Sequence, residues 1–129
     1  MTKYGFSRRV AAGFDESVER VRQALQKEGF GVLTEIDVRA TLKKKLDVDF
    51  RRYVILGACN PPFAHRALTA ELEVGLLMPC NVIVYENDHG GVTVAAVDAS
   101  MMATATGNEA LREVSTAVND KLRRVIDNF

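Results

Sequence analysis

The sequence predicts an α+β domain, and three observations carry that prediction. Tyr53-Val54-Ile55-Leu56 is a continuous apolar run of strand character. Such a run belongs to a central strand covered on both faces, or covered by helix on one face and a partner on the other. Val92 to Val97 alternates after the turn-forming Asn87-Asp88-His89-Gly90-Gly91, so Cys80 to Val97 reads as a hairpin. Leu111, Val114, Val118, Leu122 and Val125 recur at helical spacing and form one stripe.

The remaining elements follow in chain order. Lys3 to Val10 reads as a first strand. Asp15 is placed as the N-cap of an amphipathic helix whose Phe14, Val18, Val21 and Leu25 share a face and which Gly29 closes. Phe30 to Asp37 is a strand with broken alternation, and Val38 to Leu46 a short helical turn. The central strand ends at Gly57-Ala58-Cys59. Asn60-Pro61 then starts a helix to about Glu73, because asparagine caps free backbone N–H groups and proline loses no needed donor there. Thr106 and Glu109 fit a capping box at the head of the last helix.

A chain of 129 residues with 47% apolar and 26% charged residues predicts one soluble domain over residues 1–129. Seventeen basic residues against seventeen acidic leave no net field to steer a polyanion, so nucleic acid is not expected. The basic concentration of Arg39, Lys43, Lys44, Lys45, Arg51 and Arg52 lacks an aromatic platform and reads as a solvated face. No membrane span or secretory leader is legible, which makes the cytoplasm the expected location and free thiols the expected state of the two cysteines.

Those cysteines sit in matched contexts, Ala58-Cys59-Asn60-Pro61 and Pro79-Cys80-Asn81. Gly57-Ala58-Cys59-Asn60-Pro61, then Glu73-x-Gly75-x-Leu77-x-Pro79-Cys80-Asn81-Val82 before a hairpin, and the late Lys121-Leu122-Arg123-Arg124-Val125-Ile126 helix together resemble the family called domain of unknown function 302. The resemblance covers essentially the whole chain. It implies a β-α-β(n)-α fold similar to half of a TATA-binding protein, a curved, mainly antiparallel sheet with helices on one face, commonly a homodimer. It implies no activity. After Asp98 this chain carries Ala99-Ser100 where a proline is expected in relatives, which leaves that loop open.

The chemistry these residues could support centres on sulfur. Cys59 just precedes a helix start, where exposed N–H groups favour a thiolate, while the plainer role is a small buried apolar residue. If both motifs meet at one end of the sheet, Cys59 and Cys80 could bind a soft metal, carry sulfur or cycle through a disulfide. Asn60, Glu73 and Asn81 complete the candidate ligand-binding set, Glu73 as a carboxylate among apolar neighbours and the asparagines as turn and cap formers. His65 is a proton carrier or a solvent-facing side chain, and Met101 and Met102 are thioether ligands for copper(I) or core fillers. Neither a cofactor nor an enzymatic reaction is specified. The expected function is binding or transfer of a small ligand, sulfur or a soft metal through a two-cysteine corner; the rival is a non-catalytic dimeric interaction module with structural cysteines.

Overall fold

The hairpin forms the middle of an open five-stranded sheet. The computed structural model describes residues 2–129, in the order β1 (Gly5–Val10), α1 (Phe14–Lys27), β2 (Gly31–Asp37), α2 (Val38–Leu46), β3 (Tyr53–Cys59), α3 (Pro61–Ala70), a 3-10 turn (Leu72–Leu77), β4 (Cys80–Glu86), β5 (Val92–Val97), α4 (Met101–Thr106) and α5 (Ala110–Asp127). Strand order is β1-β5-β4-β3-β2, and every neighbouring pair is antiparallel. The architecture is therefore α+β. Among the described residues no helix is long and apolar enough to cross a membrane.

Alternation along the strands separates two faces. Val54, Leu56 and Ala58 of β3, Val82 and Val84 of β4, and Val94 and Ala96 of β5 are buried on one of them. There α1 contributes Val21 and Leu25, and α5 contributes Leu111, Val114, Val118, Leu122 and Val125. These are the stripes that the helical periodicity predicts. The opposite set, including Tyr53, Ile55, Ile83, Tyr85, Ala95 and Val97, stays partly exposed.

Several local expectations are corrected. The N-cap of α1 is Gly13, and Asp15 lies in the first turn, where it accepts from Arg52 at 2.5 Å. The broken alternation of β2 is a register irregularity between Val32 and Thr34, which leaves Leu33 67% exposed on an edge strand. Segment 38–46 is a full helix, capped by Asp37, whose Oδ1 accepts from the Ala40 N–H at 2.9 Å. The helix after Asn60 stops at Ala70, and Glu73 belongs to the 3-10 turn. Thr106 ends α4 instead of capping α5: its hydroxyl donates to the Met102 carbonyl at 2.6 Å, and the Asn108 side chain accepts the Ala110 N–H. Glu109 pairs with Arg112.

The loop after Asp98 needs no proline. Asp98 Oδ1 accepts from the Ser100 N–H and hydroxyl and from Asn119 Nδ2, while the Ala99 N–H donates to Asn119 Oδ1 at 2.7 Å. Partial burial opposes ionisation of Asp98, but these donors, with the nearby Arg123 charge, hold its carboxyl below the usual range.

Candidate functional site

The two cysteine motifs pack against each other at one end of the sheet, yet they do not pair their thiols. In the β3–β4 ladder Gly57 lies opposite Asn81 and Ala58 opposite Cys80, so Cys59 falls one residue beyond the partner of Cys80. The pleat sends successive side chains to opposite faces. Cys80 accordingly packs on the helical side with the core, whereas Cys59 is not part of that packing. Both are half-buried and neither is disulfide-bonded. The expected two-thiol corner is thus corrected to two offset cysteines on adjacent strands. Among the described residues no group of three or more His, Cys, Asp or Glu is placed to hold a metal.

What joins the motifs is shape. A Cβ at Gly57 would fall on Thr34 Oγ1 and lie 2.9 Å from Pro79 Cγ, so the bare glycine lets the proline of the second motif seat against the first. Cys80, apolar in its surroundings, has its thiol pushed up to about 11, first by burial and then by Cys59. A thiol in that state is a poor nucleophile at neutral pH. Alkylation of the Cys59→Ser protein is therefore expected to be slow at pH 8 and to accelerate steeply towards pH 11; a rate midpoint below pH 9 would contradict the burial argument.

Asn60 occupies the N-cap position of α3 but makes no side-chain cap. Its Nδ2 instead donates to the Glu28 carbonyl at 3.2 Å. Glu28 is the last residue before Gly29, whose φ of +84° turns the chain, with the Gly29 N–H on the Gln26 carbonyl and the Phe30 N–H on the Leu25 carbonyl. Those two bonds close α1 in a Schellman motif and leave the Glu28 carbonyl to Asn60. Asn60, only 8% exposed, is a strap between β3 and the end of α1. Asn81 is exposed, as are Glu73 and His65, so the structure does not gather them into one enclosure with the cysteines.

A much larger concavity than the one beside the cysteines lies on the face of the sheet that the helices leave bare. It encloses about 540 Å³ between Tyr4, Ser7, Tyr53, Asn81, Ile83 and Tyr85. Tyr53 and Tyr85 stack with ring centroids 5.4 Å apart, and Phe50 adds a third ring 6.3 Å from Tyr53. The Tyr53 phenol is held above its ordinary range, by burial first and then by the neighbouring Tyr85 and Tyr4 phenols. Of the outward residues of the five strands, only Arg9 at one end carries a charge, and it donates to the Gly90 carbonyl.

With this geometry in place, the family model described as Domain of unknown function DUF302 matches residues 6–129. The chain belongs to that family. The crystal structure of an uncharacterized conserved DUF302 protein from Bacillus stearothermophilus superposes with a TM-score of 0.90 at 31% identity, covering 98% of each chain. No curated protein matches the chain. The resemblance read from the two cysteine motifs and the last helix is therefore correct, and the DUF302 fold accounts for the motifs as a packing joint. Sequence reading did not pick out Tyr4, Tyr85 and Ile83; the signal was the unbroken Val82-Ile83-Val84-Tyr85 run, which has no polar residue at alternate positions.

Proposed function

We propose that this DUF302 chain is a non-catalytic assembly module that pairs with a second copy of itself through the bare face of its sheet. The observation that carries the reading is the composition of that face: in a chain with 26% charged residues, the outward positions of all five strands hold one charge, at the rim. An antiparallel sheet that faces water normally alternates apolar and polar residues. Here Ile55, Ile83 and Ala95 are consecutive neighbours across the ladder, flanked by the Tyr53–Tyr85 stack.

A second copy suits this surface better than other partners. A neutral face offers nothing to phosphates or to a charged peptide, whereas a two-fold contact needs only self-complementarity. The edges are the less inviting alternative, because β2 carries an irregularity and the exposed Glu35 and Asp37. The offset of Cys59 from Cys80 and the suppressed acidity of Cys80 favour this reading over sulfur transfer through paired thiols. Light scattering from the purified protein at micromolar concentration tests it. A mass twice the single-chain 14.2 kDa is expected, and a stable mass of 14.2 kDa overturns the reading.

A further inference from the structure

Of the six sulfur-bearing side chains in the sequence, two cysteines and four methionines, those of Cys80, Met78 and Met102 meet at one cavity of about 20 Å³ that Cys59 also borders. It lies between the β3–β4 end of the sheet and the helices, on the far side from the bare face. The other walls are apolar, among them Phe30, Phe63 and Val118, except for Asn60, whose amide is engaged by Glu28. The space admits one water-sized particle, but a buried water needs two to four polar partners. These walls do not supply them. Thioethers and thiolates are soft donors, which favour copper(I) over hard cations.

Cys80, Met78 and Met102 all pack on the core side, while Cys59 does not. We propose that Cys80, Met78 and Met102 form a binding site for a single copper(I) ion. Charge supports the choice of ion. One thiolate and one monovalent cation sum to zero, whereas a divalent ion would leave a net positive charge among apolar side chains, at high desolvation cost. On binding, the Cys80 S–H bond breaks, its proton passes to the buffer and a Cu–S bond forms, with copper remaining in the +1 state. Met78 and Cys80 are half-buried, so the ion can enter from the surface.

The test is an anaerobic titration of the reduced protein with copper(I) against bicinchoninate as a competing chromophoric chelator. One equivalent per chain should be withdrawn from the chelator. Met102→Leu and Met78→Leu conserve volume, so their folding survives, and each should weaken affinity at least tenfold. Met101→Leu, at an exposed position outside the cavity, should leave it unchanged. Cys80→Ser should abolish binding. Failure of the wild-type protein to withdraw copper overturns the proposal, as does retention of full affinity in either cavity-methionine variant. Because the leucine variants decide the matter, an unfolded Cys80→Ser protein would not rescue it.

Discussion

Ile83→Asp is expected to turn a stable dimer into single chains. Ile83 sits between Ile55 and Ala95 at the centre of the bare face, and its side chain points away from the helices. The substitution therefore removes no core contact, and the isolated chain keeps its fold. In the dimer it would place a carboxylate in an apolar interface with no cation opposite, at a cost of several kcal/mol. About 3 kcal/mol corresponds to more than a hundredfold in Kd. Sedimentation equilibrium should find the variant at 14.2 kDa at concentrations where the wild type is double that mass. Leu76→Asp serves as the control, since Leu76 is 84% exposed on the 3-10 turn and lies outside the sheet. Dissociation by Leu76→Asp with an intact Ile83→Asp dimer would move the interface off the sheet.

The second large effect is expected from Asn60→Asp. Aspartate equals asparagine as an N-cap, so a capping role would make the change nearly neutral. The strap to Glu28 predicts the opposite, because a carboxylate cannot donate and would face a carbonyl oxygen in a nearly closed site. A loss of roughly 2–4 kcal/mol in urea unfolding at pH 7 follows. The deficit should depend on pH in a definite direction. The introduced carboxyl would have its folded-state pKa raised above the unfolded value of about 3.9, so the penalty is absent below that pH and grows as pH rises towards the folded value. A variant as stable as wild type at pH 7 would restore the capping role.

The fold was legible where periodicity reports burial. The α5 stripe, the hairpin and the apolar β3 run all depend on side chains whose spacing survives in one dimension. Local caps differ from expectation where another partner outcompetes the neighbouring backbone: Asp15 and Asn60 go to the distant Arg52 and Glu28, and Glu109 to Arg112 one turn along its own helix. The thiol corner failed for a different reason. Matching motifs bring two strands together, but a one-residue register offset decides which face each sulfur takes, and register is not written in either motif. The Tyr53 to Leu56 run reads as a strand covered on both faces, and the helices cover one of them.

All three tyrosines in the sequence, Tyr4, Tyr53 and Tyr85, line the bare face, and there is no tryptophan, so tyrosine fluorescence reports on that surface alone. Acrylamide quenching of this emission across a dilution series, followed in parallel with the mass, tests the central claim most directly. If the sheet faces meet, quenching is weak at high concentration and rises through the same concentration range in which the mass falls from twice 14.2 kDa to 14.2 kDa. Quenching that stays constant while the mass changes would show that the copies meet somewhere else.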